Sequence, residues 1–105
     1  MQTQKEPMAY HIETWDKPSQ AHLRTELRAQ HLAYVQEQAH LVLAAGAKLN
    51  DDGSTAGGGV YIVEVETRAE AERFIQGDPF HGAGLFSEVR VQRWRKAFFD
   101  RECLL

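Results

Sequence analysis

Along this chain the spacing of apolar positions switches between a period of two and a helical period, and the switches outline its elements. Met8-Ala9-Tyr10-His11-Ile12-Glu13-Thr14-Trp15 alternates and is rich in aromatic and β-branched residues, with Asp16-Lys17-Pro18-Ser19 closing it, which predicts a first strand. From about Gln20 to Ala39 the stripe Leu23, Leu27, His31, Tyr34 and Val35 falls at helical intervals behind Ser19, predicting one long helix capped by that serine. Two apolar runs, Leu41 to Leu49 and Val60 to Val65, read as antiparallel neighbours across a turn-rich connector from Asn50 to Gly58. The glycine run Gly57-Gly58-Gly59 leads into a strand rather than a helix, so it reads as hairpin loop and not as a phosphate cradle. Thr67-Arg68-Ala69-Glu70 carries a capping-box pattern, predicting a second helix to about Gln76 that Gly77 ends. Asp78-Pro79 opens a new turn or short helix, and Glu88 to Ala97 alternates as the last strand. The order β-α-β-β-α-β closes most economically as an α+β, ferredoxin-like fold, a four-stranded antiparallel sheet with both helices on one face.

Parity within the strands adds a second layer. Val60 and Ile62 point one way while Tyr61, Val63 and Val65 point the other; Val89 and Val91 oppose Trp94 and Phe98. Helices on one face cannot bury both apolar sets, so a second copy of the chain is the simplest cover, predicting a homodimer packed sheet against sheet. At 105 residues there is room for one domain. Its expected parts are a polar tail over 1–7, the folded domain over 8–99 and a C-terminal tail over 100–105.

A formal charge of −3 gives no global attraction to nucleic acid or to an anionic membrane, so neither partner is expected. The basic stripe Arg90, Arg93, Arg95, Lys96 and Arg101 lacks the aromatic interleaving of a polyanion site and reads as a solvated strand and tail. A single cysteine, Cys103, cannot form an internal disulfide, and no bilayer-length apolar run or signal-peptide pattern is present, so a reducing, cytoplasmic setting is expected.

His31 lies four residues after Leu27 and four before Val35, on the core-facing stripe of the first helix. Such a histidine is either a satisfied core residue or, with a carboxylate fixing its tautomer, a general base. Asp78 offers that carboxylate, although Asp before Pro is also a helix cap; one oxygen can cap while the other meets the imidazole. Arg28, one turn before His31, suits either an anionic substrate group or a surface ion pair. Tyr34, Phe80 and Trp94 are aromatic residues for a pocket wall, or for core and interface. His22, His31 and His40 recur every nine residues, too far apart along a helix to share a metal, and no other ligand spacing supports one, so no metal and no other cofactor is expected. His81 either adds an imidazole to the pocket or lies on an exposed loop.

Arg28-x-x-His31-Leu32, Ala45-Gly46, and above all Asp78-Pro79-Phe80-x-x-Ala83-Gly84-Leu85-Phe86 followed by Val89-x-Val91 resemble the YCII-related (YciI-like) family over about 8–99. The resemblance implies a ferredoxin-like fold assembled as a dimeric α+β barrel, with a histidine–aspartate active site that this chain matches at His31 and Asp78. Relatives often carry an apolar residue where His81 stands. Likeness of that family's fold to muconolactone isomerases makes small cyclic or lactone-like compounds the implied substrates. The expectation is therefore a small cofactor-independent lyase or isomerase in which His31 moves a proton and Asp78 orients it, with Arg28 holding an oxyanion. The alternative is a dimeric small-ligand-binding or stress-associated module in which the same pair is only structural.

Overall fold

The computed structural model describes residues 8–105, so the expected polar tail over 1–7 lies outside the described residues. Strand β1 (Met8–Asp16) is followed by a 3-10 turn (Pro18–Gln20), α1 (His22–Glu26), α2 (Arg28–Glu37), β2 (Val42–Leu49) and β3 (Thr55–Val63). Then come α3 (Arg68–Gln76), α4 (Pro79–Gly82), β4 (Phe86–Arg95) and two short strands, β5 (Phe98–Phe99) and β6 (Glu102–Cys103). β1 to β4 form one antiparallel sheet in the order β2-β3-β1-β4, as the β-α-β-β-α-β pattern predicts.

Strand pairing sets which side chains share a face. Tyr10 pairs with Val63, Ile12 with Tyr61 and Val91, and Thr14 with Gly59 and Val89, so these residues look toward the helices. There Tyr10, Ile12, Tyr61 and Val63 join Phe74 and Ile75 of α3, Phe80 of α4 and Leu85 in one buried cluster. The opposite face carries His11, Val60 and Ile62, all only partly covered, and Trp94, 36% exposed. The expected parity of Val60 and Ile62 against Tyr61 and Val63 is thus present.

Several boundaries differ from the sequence reading, each for a local reason. The single helix expected from Gln20 to Ala39 is broken at Leu27, whose backbone (φ −102°, ψ 9°) leaves helical geometry, and Ser19 caps nothing. Pro18 starts a 3-10 turn instead, and the break lets Arg24 of α1 reach back to Asp16 while Leu23 and Leu27 still pack on the core. The glycine run is not hairpin loop: the turn lies at Asn50–Ser54, and Gly57, Gly58 and Gly59 belong to β3. A Cβ on Gly58 would sit 2.1 Å from the Thr14 carbonyl oxygen, so glycine there permits close pairing with β1. The last strand begins at Phe86 and ends at Arg95, which puts Phe98 outside the sheet, in the β5–β6 ribbon and 66% exposed. The segment 100–105 contributes β6 to that ribbon, and Lys96, ion-paired with Glu64 and lying over the Phe99 ring, anchors its base. At α3 the Thr67 hydroxyl accepts from the Glu70 backbone N–H, but Glu70 Oε1 takes the Thr67 hydroxyl proton rather than a backbone one. Among the described residues no helix is long and apolar enough to cross a membrane.

Candidate functional site

Asp78 owes its position to the short stop between α3 and α4. Gly77 closes α3, Pro79 occupies the first turn of α4, and Asp78 between them is extended, with Oδ1 accepting from the Phe80 N–H at 2.8 Å. That bond uses one oxygen. The other, Oδ2, accepts from the Tyr61 hydroxyl at 2.9 Å and faces His31 Nδ1 at 2.8 Å. Asp78 is 1% exposed, and three donors converging on its two oxygens satisfy it.

The tautomer of His31 follows from these contacts. The Tyr61 hydroxyl donates to Oδ2, and burial, then the neighbouring Asp78 charge, push its pKa up, so it stays a neutral phenol. A carboxylate that only accepts requires Nδ1 to carry the proton, leaving Nε2 of the neutral ring with the lone pair of a base. The imidazole is stacked on Phe80, with centroids 4.3 Å apart and planes 16° from parallel, and its side chain keeps 16% exposure. Helix α2 holds the ring there through Tyr34, whose hydroxyl donates to the Phe74 carbonyl at 2.6 Å beside Gly77. A Cβ at Gly77 would lie 2.6 Å from that hydroxyl, so the glycine that ends α3 also lets α2 approach.

His31 lines a cavity of about 380 Å³ between α2 and the β2–β3 end of the sheet. Arg24, Arg28, Leu32, Phe80 and Tyr61 contribute walls, while Ala45, Ala47 and Gly59 keep the floor shallow. Arg24 is bidentate to Asp16, at 2.7 and 2.9 Å, and its guanidinium lies 4.9 Å from the Phe80 centroid. The bond to Asp16 holds its pKa up.

Of the residues singled out in the sequence, His31, Asp78, Arg28 and Phe80 are brought together. Two are not. Tyr34, a candidate for the pocket wall or for core and interface, borders a separate recess and serves as a strut between α2 and α3. Trp94 pairs with Ala9 on the other face of the sheet, away from the cavity, because its parity opposes that of Val91. His81 is exposed, edge-on to Phe86, and does not line the cavity. Sequence reasoning overlooked Tyr61 and Arg24. A tyrosine rather than phenylalanine in a buried strand asks for a hydroxyl partner, which was the available signal for the first. For Arg24 it was the spacing to Arg28 and His31, four and seven residues on, along one helical side.

Known proteins supply an independent comparison. The solved structure of 5-chloro-2-hydroxyhydroquinone dehydrochlorinase from Burkholderia phenoliruptrix, in complex with 2,5-dihydroxybenzoquinone, is 32% identical, with a TM-score of 0.74 over 83% of this chain and 93% of that one. PA3566 from Pseudomonas aeruginosa, at 17% identity and a TM-score of 0.51 over 90% of this chain and 97% of its own, shares the fold. No curated protein matches the sequence. The profile of the YCII-related domain matches residues 8–95, and with that span covering nearly every element described above, the chain belongs to the YCII-related family.

Proposed function

We propose that this protein is a cofactor-independent enzyme of the lyase or isomerase kind that moves a proton on a small hydroxylated cyclic compound. The observation that carries this reading is the 2.8 Å contact between His31 Nδ1 and the buried Asp78 carboxylate at the wall of a cavity that, among the described residues, no Asp or Glu side chain lines. Support for a small-molecule enzyme comes from the dehydrochlorinase relative, which acts on a hydroquinone. Neutral His31 removes the proton of a ring hydroxyl through Nε2, and Asp78, fixed by Tyr61 and the Phe80 amide, stabilises the imidazolium. Arg28 takes the oxyanion. Phe80 backs the imidazole and keeps water from one side of it.

On a hydroquinone bearing a leaving group this chemistry balances without an outside oxidant. One hydroxyl becomes a ketone as its proton is relayed to the carbon that carries, for example, chlorine. Ionisation of the para hydroxyl then forms the second carbonyl and expels chloride with its bonding electrons, for a net loss of H⁺ and Cl⁻. Without a leaving group the same relay is an isomerisation. The active unit is a homodimer, in which the half-covered face bearing Val60, Ile62 and Trp94 meets its copy.

A second reading has its own observation. Asp78 is fully engaged in capping α4 and anchoring Tyr61, which suits a structural hydrogen bond to His31 in a ligand-binding module. Turnover separates the two. Substituted hydroquinones and an unsaturated lactone are offered to the wild type and to His31→Ala, with ring absorbance and chloride release followed. The enzyme reading expects a loss of at least about a hundredfold in kcat/KM with the fold intact. Undiminished turnover in the variant removes His31 from the mechanism, and no turnover in the wild type with ligand bound favours the binding module.

A further inference from the structure

Charge is unevenly matched around the cavity. Arg24 is neutralised by Asp16, whose side chain is 5% exposed, in a bidentate pair. Arg28 forms no ion pair among the described residues, and no acidic side chain lines the space it borders. Arg24 therefore braces Phe80, while Arg28 carries the charge left over for a ligand.

Farther along the same helix the wall changes character. Arg28, His31, Leu32 and Val35 fall at successive turns of one side of α2, so cation, imidazole and aliphatic groups follow one another over about 10 Å. Leu32 is 50% exposed, a large apolar side chain left without a core partner at the cavity wall. β2 returns antiparallel beneath α2, which brings Ala47 and, across the hairpin, Thr55 toward the Arg28 end. The cavity is thus cationic and polar at one end and aliphatic at the other, with the dyad between.

We propose that the site selects a flat, singly charged ring, with its ionised oxygen or carboxylate on Arg28 and an apolar ring substituent against Leu32 and Val35. This rests on the proposed function for the place of the reacting hydroxyl, next to His31, but the polarity axis belongs to the walls alone. Hydroxyquinones, being vinylogous acids, and ring carboxylates share the required charge at neutral pH. Neutral phenols lack it.

Binding of ring compounds to the intact protein at neutral pH, measured by calorimetry, tests the assignment. The probes are hydroquinone, methylhydroquinone, dihydroxybenzoate and hydroxybenzoquinone. Either anion should bind about ten- to a hundredfold more tightly than hydroquinone, the range of one charge-assisted contact, and Arg28→Gln should erase that difference. The methyl group should add about threefold, and Leu32→Asn should remove this gain while leaving the preference for charge. Thermal melts confirm that both exposed-site variants fold. Equal affinity for neutral and anionic rings, a charge preference that survives Arg28→Gln, or no binding by any ring overturns the proposal. The two readings fail separately: His31→Ala with full turnover removes the proposed reaction and leaves the charge preference standing, whereas lost turnover without any charge preference removes only the polarity axis.

Discussion

The two faces of the sheet are cut from the same strands and end in different states. Toward the helices, the buried polar groups are hydrogen-bonded inside the fold: Thr14 Oγ1 accepts from the Gly59 N–H at 3.0 Å, and the Tyr61 hydroxyl and His31 meet on Asp78. On the other face Val60, Ile62 and Trp94 are only part-covered and share the surface with charged side chains: Glu13 is ion-paired with Lys48, and Trp15 is flanked by the Lys48 ammonium at 4.1 Å and the Arg90 guanidinium at 5.1 Å. The covered face can hold a carboxylate in a fixed orientation because burial makes every unmade hydrogen bond expensive. Its counterpart has no such constraint, and the apolar area it leaves part-covered is the surface proposed to meet a second copy. The proposed chemistry belongs to the face whose buried polar groups are hydrogen-bonded; the proposed assembly belongs to the face that leaves Val60, Ile62 and Trp94 part-covered.

Substitutions on the two faces should therefore fail in different ways. Asp78→Ala strikes the covered face hardest. It strands the buried Tyr61 hydroxyl, removes the α4 cap and frees His31, and a loss of about 3–5 kcal/mol in urea denaturation is expected. A loss below about 1 kcal/mol would mean that Asp78 is not the organising group of that face.

Trp94→Glu tests the other side. The fold should keep its melting behaviour to within a few degrees, while light scattering reports monomer in place of dimer. A variant that still dimerises removes Trp94 from the interface, and one that unfolds breaks the division between the faces.

Tyr61→Phe gives the smallest effect and the sharpest one. Loss of a single buried hydrogen bond should cost about 1 kcal/mol near neutral pH. Because burial raises the Tyr61 pKa in the folded state, the unfolded chain releases its phenolic proton first, so the stability tied to Tyr61 is complete below the usual tyrosine value of about 10 and declines as pH climbs above it. The wild type should lose stability above that pH more steeply than Tyr61→Phe. Tyr34, also raised by burial, keeps a part of the slope in both. Identical alkaline slopes in chemical denaturation would show that the Tyr61 hydroxyl is not buried as described.

Much of this architecture was legible before any coordinates. Period-two runs gave the strands, Thr67 and Gly77 bracketed α3, and Asp78-Pro79 marked the cap of α4, because these signals act within a few residues. The break at Leu27 was hidden, since the apolar stripe runs through it unchanged and the Arg24–Asp16 pair that accompanies it joins two different elements. The glycines of β3 misled for a related reason: their composition says loop, and only pairing with β1 shows why a side chain is forbidden at Gly58.

The sequence by itself determined the element order, the parity of the strands and the residue types able to exchange a proton, all properties carried by neighbours along the chain. Tertiary structure alone decided that Tyr61 shares Asp78 with His31, that Tyr34 is a strut and Trp94 faces away, and that Arg24 rather than Arg28 is ion-paired among the described residues. Those facts depend on which groups distant in sequence come within about 3 Å of each other and lose water together, and hydrogen bonding at that range has no counterpart in local spacing.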